Sequence, residues 1–308
     1  MTPGATTTGN LMPDAVARVE VAAGMRLADT VRGAKNPVLV GPTEAWWATR
    51  TPDGPGSLAL ARLDPVTVEA RAWGLGAGWL VAQAPRLLGA YDDPSGFEPP
   101  PGPLGELWRR SPFRLARTDR VWDALVGAVL GQKVQTVNAR RARRALARRH
   151  GERAPGPHES WLLPPPERVA ELGYHHFHPL GVERKRATIL IRVAREMPRL
   201  AGLEGRPPDQ FRRRLEAIAG IGPWTSAIVS AVAVGDPDAV PVGDFHLRNG
   251  VAWHLAGEPR GTDKRMLELL APWAGHRWRV VRLVKAAGPA PRYGPRLSLH
   301  GDGLHMGR

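Results

Sequence analysis

Residues 219–225 read Ala-Gly-Ile-Gly-Pro-Trp-Thr (AGIGPWT) and separate two segments of helical character. Before them Phe211, Leu215 and Ile218 recur at helical spacing, and after them runs the apolar stretch AIVSAVAV. With so few residues between the two helices, the chain must form a tight helical hairpin. Gly220 and Gly222 permit positive φ and the close approach of another backbone, and Pro223 suits the first turn of the second helix, where its missing N–H costs nothing. Such a start leaves unpaired amides with no side chains in front of them, which is an anion site. A plain turn between two helices can also use Gly-x-Gly, so the hairpin by itself leaves both readings open.

The charge balance says which anion to expect. Among 308 residues, 43 Lys and Arg stand against 29 Asp and Glu, a formal net charge of +14. This points to a polyanionic partner, with biased codon usage as the plainer alternative. The absence of cysteine excludes disulfides, thiolate zinc sites and Cys-held iron–sulfur clusters. No window reaches the length of an apolar membrane span, and the opening MTPGATTTGNLMPDA lacks the basic-then-apolar order of a signal peptide. A cytoplasmic, nucleoid-associated monomer is the expectation.

Outward from the hairpin the period changes once. Residues 1–17 read as a flexible lead and 18–90 as a β-rich domain, with ARVEVA, AWWATRT, SLALARL and VTVEARAW as strands and PDGPG as a turn. Alternation puts Val66, Val68, Ala70 and Ala72 on one face, and LGAGWLVAQAPRLLG follows as a helix. The Pro- and Gly-rich 91–106 reads as a linker, 107–285 as an all-helical domain, and 286–308 as a flexible tail. Within the helical part, Trp122, Leu125, Val126, Val129 and Leu130 form one apolar stripe, and a second helix sets Arg140, Arg144 and Arg148 on one face. Further helices are expected at 166–173, 183–198 and 208–218, with RAPGPHESWLLPPPE as a loop. The fold class is α+β.

After the second hairpin helix comes DPDAVPVGDFHLRNGVAWHLAG, where Asp244 follows a Pro-Val-Gly turn and precedes the periodic Leu247, Val251 and Leu255. Aspartate is a preferred helix N-cap, and that role accounts for every local feature. Asp236 and Asp238 read as solvated turn residues. Helix, Gly-Ile-Gly hairpin, helix, then Pro-Val-Gly-Asp opening another helix is nevertheless a specific order. It resembles the helix–hairpin–helix, Gly/Pro-rich-loop, aspartate (HhH-GPD) superfamily of DNA glycosylases, and in particular its 3-methyladenine DNA glycosylase II branch. The resemblance covers roughly 107–285, including ALVGAVLGQKVQTVNARRA and the segment 181–187, and extends more weakly to the β-rich part.

That resemblance implies a chemistry. Asp244 becomes the catalytic carboxylate, stabilising the oxocarbenium-like cation that develops at C1′ as the glycosidic bond breaks. Bifunctional members carry a Schiff-base lysine where Trp224 stands here, so a monofunctional enzyme is implied, one that leaves an abasic site. Trp224 and Gln132 are assigned to the base pocket, Trp224 with a face suited to a cationic alkylated purine and with ordinary helix packing as its plain reading. Gly220, Gly222 and Thr225 are assigned to the DNA backbone, and Lys133 and Val134 to a wedge filling the gap left by a flipped nucleotide. No cofactor is required. A structural Na+ or K+ is implied on backbone carbonyls of Glu216, Ile218 and Ile221. The partner implied is double-stranded DNA with a damaged base, and 3-methyladenine or 7-methylguanine is favoured because cationic bases depart more readily.

Two departures bear on substrate range: WRVVRLVKAAG lacks a clear match to the family's late aromatic positions, and Gly-Asp stands where a second acidic residue can occur. The arginine-rich helix reads as phosphate-tracking or simply solvated. His175, His176 and His178 read as a loop cluster, since no carboxylates accompany them. The rivals are a non-catalytic helix–hairpin–helix DNA-binding protein that senses damage, in which Asp244 is only a cap, and an oxidised-purine glycosylase, which Trp224 disfavours.

Overall fold

The computed structural model describes residues 12–34, the backbone of 38–39, and 43–291. Strand β1 (Ala15–Glu20) is followed by helix α1 (Leu27–Arg32), then β2 (Val38–Leu39), β3 (Glu44–Thr51), β4 (Gly54–Asp64) and β5 (Thr67–Trp73). They form an antiparallel sheet in the order β1-β5-β4-β3-β2. Alternation decides its inner face: Val68, Ala70 and Ala72 are buried, whereas Val66 lies in the turn before β5 and is exposed. Helix α2 (Ala77–Leu87) covers that face with Leu80, Ala84 and Leu87.

The expected edges of this region shift where pairing competes with composition. β1 starts inside the segment read as a lead, because Ala15–Glu20 pairs with β5 along its whole length. Of PDGPG only Pro52 and Asp53 turn the chain, since Thr51 pairs with Gly54 and the remaining glycines belong to β4. Residues 1–11 of the expected lead and 292–308 of the expected tail lie outside the described residues.

Helix α3 (Pro103–Arg110) begins within the segment read as a linker, opened by Pro103 in its first turn. Leu104, Phe113 and Leu115 join the helical core. The rest of the segment is held by side chains remote in sequence. Fully buried Arg279 grips Asp92 with two hydrogen bonds of 2.8 and 2.6 Å, and the Trp273 indole donates to the Glu98 carbonyl at 2.7 Å. Bidentate Arg–carboxylate pairs fix orientation as well as position.

The helical domain continues with α4 (Val121–Leu130) and α5 (Thr136–His150). A small ladder of β6 (Glu152–Arg153) and β7 (Trp161–Leu162) replaces part of the expected loop. Then come α6 (Pro166–Glu171), α7 (Tyr174–Phe177), α8 (Arg184–Glu196), α9 (Pro208–Glu216), α10 (Pro223–Ala233), α11 (Phe245–Ala256), α12 (Asp263–Leu270) and α13 (Arg277–Ala287). The stripe expected on α4 extends all round it, since Val121, Asp123, Ala124 and Ala128 are buried too. This helix packs against α5, α8 and α10 and is the centre of the domain. Its Asp123 accepts a 2.7 Å hydrogen bond from the Thr49 hydroxyl of β3, which ties the sheet to the helices through a satisfied buried carboxylate.

Candidate active site

Helices α9 and α10 form the hairpin, and its glycines differ in role. Gly220 takes φ +101°, and a Cβ there would stand 2.5 Å from Ile189 Cγ1, so α8 approaches its backbone directly. Gly222 has φ −105° and open space around it, so neither positive φ nor packing demands glycine there. It caps α10 without a side chain, and the first helical bond runs from Ser226 N to the Gly222 carbonyl. The amides of Trp224 and Thr225 therefore lie ahead of the helical ladder at the positive end of the helix dipole.

The loop after α4 docks on this hairpin through Gln132, whose amide donates to the Gly220 carbonyl and the Thr225 hydroxyl, each at 3.0 Å. Gln132 is thereby a strut between two loops, and the buried Thr225 side chain turns inward to meet it. Lys133, next in the chain, is exposed and takes φ +53°, a left-handed conformation uncommon outside glycine. Half-buried Val134 follows it.

The carbonyl side of the hairpin is partly engaged. The Ile218 carbonyl accepts from Ile221 N at 2.9 Å, and Arg192 Nη1 sits 2.6 Å from the Ala219 carbonyl. The Glu216 carboxylate accepts from the Ser226 hydroxyl at 2.5 Å. Of the three carbonyls in question that of Ile218 is thus already engaged, and the Arg192 guanidinium already brings a positive charge to the end of α9.

Asp244 stands at the start of α11. One oxygen, Oδ1, accepts from both His246 N and Leu247 N at 3.1 Å, which makes Asp244 the N-cap. The other, Oδ2, lies 3.5 Å from Trp224 Nε1 and 3.8 Å from Lys285 Nζ. Trp224 is half-buried and reaches the end of α4, since a Cβ on Gly131 there would stand 3.6 Å from its ring. Close crossing of α11 and α13, with Gly250 set against Val284, brings Lys285 to the carboxylate. Partial loss of water around its part-exposed side chain pulls the Lys285 pKa below the ordinary lysine value, while Asp244 pulls it back up.

Asp236 and Asp238 are structural rather than solvated. Buried Asp236 pairs with Arg212 of α9 and accepts from the Ser230 hydroxyl at 2.7 Å. Asp238 pairs with Arg277 and accepts from Gly275 N at 2.8 Å. Burial alone would raise the Asp238 pKa, but Arg277 and the Gly275 amide overcome it and hold the carboxyl below its usual range. These pairs clamp the loop leading to Asp244 onto α9 and α13.

His175 and His176 lie on α7 with ring centroids 4.1 Å apart, and His176 also meets His150 at 5.3 Å. Burial first, then neighbouring cationic groups, lower the pKa of His150 and His176. No metal-binding group of His, Asp and Glu occurs among the described residues. None of the described helices is long and apolar enough to cross a membrane.

Sequence comparison adds the family to this geometry: residues 126–275, from within α4 through the hairpin and Asp244 to just before α13, match the family described as HhH-GPD superfamily base excision DNA repair protein. The helical domain belongs to the HhH-GPD superfamily. Among its relatives is DNA-3-methyladenine glycosylase 2 of Escherichia coli (strain K12), 32% identical over 57% of this chain and 62% of that protein. Another is the putative DNA-3-methyladenine glycosylase YfjP of Bacillus subtilis (strain 168), 25% identical over 50% of this chain and 54% of that protein. The match thus spans between half and two thirds of the length of these curated relatives.

The fold is similar to that of the 3-methyladenine DNA-glycosylase from Archaeoglobus fulgidus, with TM-score 0.69 and 15% identity over 87% of this chain and 97% of that one. It is similar also to the Clostridium acetobutylicum 8-oxoguanine glycosylase/lyase in complex with dsDNA, with TM-score 0.65 and 12% identity over 89% and 98%. Both likenesses span the sheet as well as the HhH-GPD helices.

Proposed function

We propose that this protein is a monofunctional DNA glycosylase that hydrolyses the N-glycosidic bond of alkylated purines in duplex DNA and so opens base excision repair. The division of labour within Asp244 carries the reading. Oδ1 satisfies the helix start, which leaves Oδ2, 3.5 Å from Trp224 Nε1 and 3.8 Å from Lys285 Nζ, to stabilise a cation at C1′. A cap needs only the first oxygen, so the second, beside the indole, supports a further role for the carboxylate.

DNA enters this account through the bare start of α10, whose amides suit a backbone phosphate, and through the +14 charge of the chain. Lys133, on its left-handed backbone at the loop tip, is the wedge with Val134, and Gln132 holds that loop to the phosphate-binding hairpin. Trp224 supplies an aromatic wall for the flipped base. Its presence in place of an amine supports hydrolysis without strand cleavage. The protein acts as a monomer, and a Na+ or K+ on the Glu216, Ile218 and Ile221 carbonyls would rigidify the hairpin.

The test is base release from methylated duplex DNA, with strand breaks scored before and after alkali. Release of 3-methyladenine or 7-methylguanine, with breaks only after alkali, is the expected result. Breaks without alkali would contradict the monofunctional reading, and DNA binding without release of either base would contradict the catalytic one.

A further inference from the structure

Among the described residues Lys285 is the charged side chain that pairs with Asp244, and the reading above gives it no part in the chemistry. Its Nζ lies 3.8 Å from Oδ2, beyond hydrogen-bonding distance. The side chain is 41% exposed, so it is not locked against the carboxylate. Its ammonium sits 5.5 Å from the ring centroid of Trp278, which is buried beneath it. Only five lysines accompany 38 arginines in this chain, and a lysine, unlike an arginine, can give up its proton near neutral pH when its surroundings allow.

Resting on the glycosylase reading, we infer that Lys285 is a catalytic acid that extends this site to neutral lesion bases. A cationic alkylated purine leaves as a neutral molecule and needs no proton. A neutral base such as hypoxanthine would leave as an anion, and it departs readily only if a proton is supplied. In this step the C1′–N9 bond breaks with its electron pair going to the base, which takes a proton from Lys285. Water adds its oxygen to C1′ and gives a proton to Asp244. Proton transfer from the Asp244 carboxyl to the Lys285 amine, across a gap that one water can bridge, restores both groups. The net change is water divided between C1′ and the base. For cationic bases, which need no proton, the ammonium only offsets the Asp244 carboxylate that faces the developing C1′ cation, and so slows release.

Wild type, Lys285→Met and Lys285→Arg are compared in single-turnover release of hypoxanthine and of 7-methylguanine from matched duplexes. Lys285→Met, close in shape to lysine, is expected to lose about a hundredfold on hypoxanthine, the general-acid contribution. It should gain a few fold on 7-methylguanine, because a like charge has gone. Lys285→Arg keeps the charge without a transferable proton, so it should remain slow on hypoxanthine and show no gain on 7-methylguanine. Equal loss on both bases, or no change on either, would overturn the inference while leaving the glycosylase reading intact. Wild type that releases 7-methylguanine but not hypoxanthine would do the same, and wild type that binds DNA and releases neither would overturn both.

Discussion

The starts of α10 and α11 pose the same local problem and solve it in opposite ways. Each presents amides with no helical partner. At α10 the cap is Gly222, with open space in front and no side chain to fill it. At α11 the cap is Asp244, whose Oδ1 takes two amides at 3.1 Å. The bare start is left for an anion from outside the chain. The filled start supplies an anion from within, and because one oxygen suffices for the cap, the other is left to face Trp224 and Lys285. In the proposed mechanism two helix ends about 20 residues apart in sequence divide binding from catalysis, and Trp224 lies between them, one residue past Pro223 and 3.5 Å from Oδ2.

The comparison can be broken at either end. Gly220→Ala has the largest expected effect: it forces a Cβ against Ile189 on a backbone at φ +101°, which should destabilise the fold by about 1–3 kcal/mol in denaturant melts. Retained stability would mean that α8 yields easily. Gly222→Asp turns the bare start into a filled one. Its open surroundings accept the side chain, so stability should hold or rise slightly while affinity for duplex DNA falls by roughly tenfold, about 1.4 kcal/mol. Unchanged affinity at low salt would remove the hairpin from the phosphate contact.

Asp244→Ala should cost about 1 kcal/mol of stability as the cap is lost, and Asp244→Asn only a few tenths, because asparagine caps as well. Equal losses for the two would deny the cap its role. The smallest effect is a pH slope. The Lys285 pKa is lower in the folded protein than in the unfolded chain, so between those values the unfolded chain holds a proton that the folded one lacks. Stability should rise with pH through that window up to the ordinary lysine value of 10.5. In Lys285→Met that part of the slope should vanish.

What was legible in the sequence follows from where the partners lie. The hairpin, the α10 start and Asp244 are local patterns, and the spacing of Gly220, Pro223 and Asp244 sufficed to place them. The clamps are not local. Asp236 and Asp238 read as turn residues because Arg212 and Arg277 come from other helices, and 91–106 read as a linker because its anchor, Arg279, is nearly 190 residues away. The resemblance assigns Gln132 to the base pocket, and its hydrogen bonds to Gly220 and Thr225 arise from tertiary packing that no local pattern shows. Lys285 had one faint signal, a lysine where this chain almost always uses arginine.

The central claim is that Asp244 is cap and catalyst at once, and one variant separates the two roles. Asp244→Asn should keep the thermal stability and duplex affinity of wild type, since an amide oxygen still accepts from His246 N and Leu247 N. Release of alkylated purines should fall by at least about a hundredfold, the scale on which removing one electrostatic partner of a transition state is felt. If that variant, folded and bound to DNA, releases 3-methyladenine as fast as wild type, then Asp244 is a cap alone and the account is wrong.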